Sequence, residues 1–291
     1  MRTGTAILHL KNISGQSFFP SKYSINQVEY TVQVMTPFCY IFLAATFMIC
    51  DGGRMKIING DEVYPHSRPY MAFIATALEN ITMCAGGLIK PNWVLTAAHC
   101  RTEVNKTKVS LGIHSLKTNE TESQMIKVIE SFHPKQYHKS AKRFDIKLLQ
   151  LSRDAELGPA VDILPLPNND EDVKADTVCQ VAGWGQTENS KFSDTLREVN
   201  VTIFDREQCK KIWRHKYVIS DNMICTSVGT DKKDTCKGDS GSPLICKGVF
   251  RGINSFGYKP CGTPHTTNVY TRLSNSILSW IRSIINDTDR K

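Results

Sequence analysis

Three short segments of the 291-residue chain carry side chains that could perform nucleophilic chemistry if the fold brought them together. Leu95-Thr96-Ala97-Ala98-His99-Cys100 places an imidazole after an apolar run. Phe144-Asp145-Ile146 places a carboxylate at the head of another. Asp234-Thr235-Cys236-Lys237-Gly238-Asp239-Ser240-Gly241 places a serine hydroxyl between glycines. Each has an ordinary structural reading on its own: a core-side histidine, a capping aspartate, a tight glycine turn. Their chemical reading is sharper. A serine hydroxyl is a poor nucleophile until a base removes its proton, and an imidazole can take that proton and pass it to a leaving amine. A buried carboxylate can hold the imidazole in the required tautomer and stabilise its cation.

Such groups need a rigid frame. Short β-rich runs bounded by turn residues recur at Met71–Ala77, Ala85–Ile89, Val94–Ala97, Lys108–Leu111, Ile146–Leu151 and Val178–Trp184, and again at Val199–Ile203, Pro243–Cys246, Gly248–Ser255 and Val269–Leu273. Many short strands without long helices predict an all-β barrel or sandwich. A polar stretch over 164–176 with two prolines predicts the link between two halves, roughly 57–165 and 166–272. Leu273, Ile277, Trp280, Ile281 and Ile284 recur at three- and four-residue spacing, which predicts an amphipathic C-terminal helix over 274–286.

The ten cysteines include no C-x-x-C pair, and their scatter fits structural disulfides in an oxidising compartment better than metal ligation. Six N-x-[ST] sequons, at Asn12, Asn80, Asn105, Asn119, Asn200 and Asn286, support the secretory route. Residues 38–50 form an apolar run of signal-peptide length, with Met35 just ahead of it. We read 1–34 as an upstream extension, 35–52 as a signal peptide, 53–56 as an activation propeptide and 57–291 as the working domain. A membrane-anchoring segment is the alternative for the apolar run, although no stretch of about 18 apolar residues occurs to span a bilayer. The formal charge is +8 for the chain; residues 1–56 hold five Lys/Arg against two Asp/Glu, leaving about +5 on the rest. Basic clusters lie at Lys210-Lys211-Trp213-Arg214-Lys216 and over 135–147. They fit either a solvated surface or an acidic polysaccharide or proteoglycan partner. Nucleic acid is a poor candidate, because no recognition module accompanies the charge.

The three segments together resemble the trypsin/chymotrypsin serine protease family, and they occur in its order, with gaps of 46 and 95 residues. The similarity runs from Ile57 to about Asn286. It implies two antiparallel six-stranded β-barrels with a C-terminal helix, and an endopeptidase in which Ser240 attacks, His99 shuttles the proton and Asp145 orients His99. It implies an oxyanion hole, which we assign to the N–H groups of Ser240 and Gly241. It implies that cleavage after Lys56 frees Ile57, whose ammonium pairs with buried Asp239. The implied disulfides are Cys84–Cys100, Cys179–Cys246, Cys209–Cys225 and Cys236–Cys261. No cofactor or metal is expected; Ile113 stands where a trypsin-like calcium loop would need an acidic ligand.

The resemblance also makes Asp234 the floor of the primary pocket, selecting Lys or Arg before the scissile bond, and makes Ser255, Phe256 and Gly257 its wall. One position departs from the family: Asn268 stands where a glycine is usual. Its side chain is expected to enter the pocket, narrowing it or hydrogen-bonding Asp234; a local shift that points it elsewhere is the alternative. Ile57-Ile58-Asn59-Gly60, the 65–71 segment, 193–199 and 246–250 resemble granzymes A and K. That implies a secreted or cytolytic-granule enzyme acting on protein substrates and open to serpin-type inhibitors; with no extra cysteine after residue 56 to link two chains, a monomer is expected. A digestive or plasma trypsin-like protease and a non-catalytic heparin-binding homologue are the alternatives.

Overall fold

The computed structural model describes residues 58–79, 81–288 and 290. Ile57, the segments 1–34, 35–52 and 53–56, and the sequons at Asn12 and Asn80 lie outside the described residues.

The strands form two closed antiparallel barrels. The first contains β2 (Met71–Thr76), β3 (Thr82–Lys90), β4 (Trp93–Thr96), β5 (Thr107–Leu111), β6 (Gln124–Phe132) and β7 (Lys147–Leu151) in the order β2-β3-β4-β7-β6-β5. The second contains β8 (Val178–Gly183), β9 (Arg197–Phe204), β10 (Met223–Val228), β11 (Pro243–Cys246), β12 (Val249–Gly257) and β13 (Thr266–Arg272). Its order is β9-β10-β13-β12-β11-β8, and pairing of β8 with β9 closes it; the two-residue β1 (Asp61–Glu62) extends β9. Closure leaves neither barrel with a long open edge. The 164–176 stretch joins them without a strand.

The strand runs read from the sequence all appear, with edges moved by at most three residues. The sequence reading missed β6, β10 and the helix α1 (Arg206–Trp213). Only two residues of β6, Ile126 and Val128, are buried. A strand with so little inward apolar surface shows weak alternation. Asp205 caps α1, its carboxylate accepting from Gln208 N at 2.8 Å, and the helix buries only Cys209 and Trp213. Helix α2 (Asn275–Thr288) buries Ile277, Leu278, Ile281 and Ile285 in the apolar cluster that fills the first barrel. Burying an aliphatic side chain of this size contributes about 1.5–3 kcal/mol, enough to dock a helix that is too short to be stable alone. Trp280 and Ile284, expected on that face, are only partly buried at its margin.

A third cluster joins the barrels. Met71 and Ala85 of the first meet Ala182, Trp184 and Leu196 of the second, and Phe73 meets Trp184 edge to face at 5.7 Å. Among the described residues four disulfides form: Cys84–Cys100, Cys179–Cys246, Cys209–Cys225 and Cys236–Cys261. The loop after Gly112 is tied internally: the Glu120 carboxylate accepts from His114 N and Ser115 N, while Ile113 packs against the inter-barrel cluster. Among the described residues no helix is long and apolar enough to cross a membrane.

Candidate active site

His99 leaves the end of β4 in a tight turn closed by Cys100 N donating to Ala97 O at 3.1 Å, and the Cys84–Cys100 disulfide pins that turn to β3. Asp145 reaches the same place from the loop before β7. Lys142 and Phe144 adopt positive φ there, at 55° and 49°, turning the chain so that the carboxylate points inward. Asp145 is fully buried. Its oxygens accept from His99 N at 2.8 Å, from Ser255 Oγ at 2.5 Å, and meet His99 Nδ1 at 2.7 Å. Burial works to raise its pKa, but the bonds and charge of His99, with the Ser255 hydroxyl, hold it below the usual carboxylate range.

On the other face of the imidazole, Nε2 lies 2.9 Å from Ser240 Oγ. Ser240 belongs to the second barrel, yet its carbonyl accepts from Ala85 N of β3 at 2.8 Å. The Ser–His–Asp line is thus fastened across the inter-barrel seam. Gly241 makes that fastening possible. Its φ is +88°, and a Cβ there would overlap Thr96 Oγ1 and Ala85 O. Gly238 has φ +104°, and a Cβ would press on Gly185 and the Phe192 ring.

The geometry corrects one expectation. The Gly241 N–H donates to Asn254 O at 2.9 Å, so it is occupied by the fold and cannot serve an oxyanion. Among the described residues, the N–H groups of Ser240 and Gly238 donate to no other protein atom. A developing negative charge at the nucleophile needs two such donors, and the positive φ of Gly238 was the sequence-level signal for the second.

Asp239, completely buried, accepts from Gly185 N at 2.8 Å and Cys236 N at 2.9 Å. Burial pushes its pKa up to about 7 against the pull of those two N–H groups. No cation meets it among the described residues. Ile58 approaches this region, since its carbonyl accepts from Asp234 N at 3.2 Å and its side chain backs Gly262.

The cleft around the triad encloses about 600 Å³ and is lined by Ser255, Phe256 and Gly257 on one wall and by Thr235 and Asn268 at its base. Asp234 does not line it. The Asn268 side chain does enter the pocket: its Nδ2 donates to Asp234 Oδ1 and, at 3.0 Å, to Thr235 Oγ1. Its amide oxygen turns toward Gly257, where a Cβ would overlap it. The two expected outcomes therefore occur together, narrowing and hydrogen bonding, and Asn268 presents an amide to the cleft where Asp234 does not reach it. Burial pushes the Asp234 pKa up to about 6, although Gly262 N–H, at 2.6 Å, and Asn268 both favour the anion.

Two further groups escaped the sequence reading. Ser255 was expected only as pocket wall, yet its hydroxyl donates to the buried Asp145 carboxylate. Lys147, in β7, is buried with Nζ donating to Cys100 O and Thr102 Oγ1, both at 2.8 Å, and burial lowers its pKa to about 8. An apolar-strand position gave no sign of either contact, because both partners are distant in sequence.

Residues 57–281 match the family model described as Trypsin. The chain belongs to the trypsin family. Granzyme A of Bos taurus is 41% identical over 252 residues, covering 85% of this chain and 93% of that protein. Mast cell protease 3 of Ovis aries is 42% identical over 245 residues, covering 83% and 94%. Among solved structures, neuropsin, a serine protease of mouse brain, superposes with a TM-score of 0.70 at 34% identity, covering 79% of this chain and all of that one. As a trypsin-family member the chain is a serine endopeptidase, a hydrolase whose substrates are proteins.

Proposed function

We propose that this endopeptidase works through an acyl-enzyme with His99, Asp145 and Ser240 as its triad. Ser240 Oγ attacks the scissile carbonyl while His99 Nε2 takes its proton. The N–H groups of Ser240 and Gly238 receive the oxyanion, the C–N bond breaks, and His99 returns the proton to the leaving amine. Water, deprotonated by the same imidazole, then releases the acyl group. The observation that carries this reading is the unbroken chain from Ser240 Oγ through His99 to Asp145, at 2.9 and 2.7 Å. A fluorophosphonate probe should label Ser240 in the enzyme cut before Ile57, and Ser240→Ala should abolish labelling. Labelling elsewhere, or none, refutes the assignment.

We further infer a zymogen. A buried carboxylate without a cation is costly, and Asp239 lies where the chain near Ile58 could deliver the ammonium of a freed Ile57. Activity that does not rise on cleavage of the Lys56–Ile57 bond would refute this. The negative charge of Asp234 supports a preference for Lys or Arg before the scissile bond, weakened by Asn268. A positional-scanning peptide library on the cut enzyme tests both. The likeness to Granzyme A and Mast cell protease 3 supports a granzyme A/K-like enzyme, secreted or held in cytolytic granules. The exposed basic residues Lys211 and Arg214, with half-buried Lys210 beside them, support retention on acidic proteoglycan there. The absence of a spare cysteine after residue 56 supports a monomer, and serpin-type inhibitors fit the mechanism.

A further inference from the structure

The rim of the catalytic cleft carries a charge pattern that the primary pocket does not explain. Four lysines line it: Lys142, Lys216, Lys237 and Lys259. They come from four separate segments. Lys142 lies in the loop before Asp145, Lys216 follows α1, Lys237 precedes Gly238, and Lys259 follows β12. Among the described residues no carboxylate lines the cleft. The nearest acids, Asp145, Asp234 and Asp239, are each at most 1% exposed. Among the described residues, none of the four lysines forms an ion pair. Lys216 is positioned by aromatic packing instead. Its Nζ lies 5.6 Å from the centre of the Tyr217 ring, and that ring packs on Phe256 at 4.7 Å.

Phe256 and Gly257 pair with Val269 and Asn268 of β13 on one side. Strand β11 pairs with β12 only as far as Ile253, so beyond Asn254 the other side faces the cleft. An extended peptide can add to such an edge, its side chains pointing alternately to the two faces. A peptide on the 255–257 edge lies in the cleft that Lys142, Lys216 and Lys259 help to line, with Lys216 tied to that edge through Tyr217 and Phe256. Lys237 lines the same cleft from the segment that carries Ser240, three residues ahead of it. Like charges held together without counterions repel, and substrate carboxylates relieve that repulsion as they bind.

We propose that the cleft selects protein segments with Asp or Glu on both sides of the scissile bond, Lys142, Lys216 and Lys259 reading the residues before it and Lys237 those after it. The inference rests on the endopeptidase reading above and concerns the same cleft. Each exposed pair contributes roughly twofold, so three or four acting together yield about tenfold in kcat/KM.

The test uses the cut enzyme and pairs of internally quenched peptides that differ only in Glu against Gln at the flanking positions. The residue before the scissile bond is the one the peptide library selects. The Glu-to-Gln ratio of kcat/KM should be about ten at low ionic strength and fall below about two near 1 M salt, where exposed charges are screened. Lys142→Gln, Lys216→Gln and Lys259→Gln should lower the ratio for acids before the bond. Lys237→Gln should lower it for acids after the bond, and the fourfold variant should bring both near one. Because the ratio is taken within each variant, a general loss of folded enzyme cancels. A ratio near one for wild type, or one that survives in the fourfold variant, overturns the proposal while leaving the endopeptidase intact. Failure of a fluorophosphonate to label Ser240 overturns both.

Discussion

Replacing Asn268 with glycine should turn a guarded pocket into an open one. In the native cleft the Asn268 amide donates to Asp234 and Thr235 and hides the carboxylate, which is 1% exposed. A guanidinium or ammonium entering the pocket must displace that amide or stop short of Asp234. With glycine at 268 the cation could reach the carboxylate directly. A charge-assisted hydrogen bond in a desolvated site is worth about 1.5–3 kcal/mol, which corresponds to roughly 10- to 150-fold in kcat/KM. The predicted gain for Asn268→Gly is of that order on Arg and Lys substrates, with little gain on uncharged ones. The assay compares matched peptides with Arg, Lys, Gln or Phe before the scissile bond. Enzyme is normalised by active-site titration, because glycine also removes two buried hydrogen bonds. Asn268→Ala should give a smaller gain of the same sign. An Arg-to-Gln ratio unchanged within about twofold in Asn268→Gly would show that Asn268 does not control access to Asp234.

Because burial pushes the Asp234 pKa up to about 6, the ratio of kcat/KM for Arg against Gln substrates should fall as pH drops through 6; the ratio cancels His99, and a flat profile from pH 5 to 8 refutes the claim. Asp239, pushed up to about 7 by burial, is raised above its unfolded value, so the uncut protein should lose stability as pH rises from about 4 to 7. The loss is on the order of 4 kcal/mol, and cleavage before Ile57 should remove it; urea midpoints of cut and uncut protein at pH 4 and 8 measure it. Gly241→Ala should cost about 2 kcal/mol or more in thermal unfolding and most of the activity, since its Cβ would strike Thr96 and the Ala85 carbonyl. Ser255→Ala should lower kcat about tenfold with the Arg-to-Gln ratio unchanged, because it removes a bond to the triad carboxylate; a change in that ratio instead would make Ser255 a pocket residue only.

Legibility from sequence followed the range of the interactions involved. Strands with strong inward apolar faces, such as β4, β7 and β11, could be read directly, and α2 announced itself through aliphatic residues three and four apart. β6 could not be read, because most of it faces solvent, and α1 was hidden by its brevity and its single buried turn. Within the site, His99, Asp145 and Ser240 stood out through local motifs. The Gly241 assignment failed because a local motif does not say where an N–H points. That N–H is committed to Asn254, thirteen residues away and on another strand.

By itself the sequence singled out which imidazole, carboxylate and hydroxyl could act together, the carboxylate at 234, and the asparagine at 268 where the family usually has glycine. These are properties of residue type and local spacing, and they survive any rearrangement of the rest. Tertiary structure alone decided what each group faces. It seated Asp234 beneath Asn268, assigned Ser255 to Asp145, left Gly238 rather than Gly241 free to donate, and gathered lysines from four separate segments around one cleft. Those outcomes depend on contacts between residues tens to more than a hundred positions apart. They are settled by how two barrels close and meet, and no window of sequence contains that information.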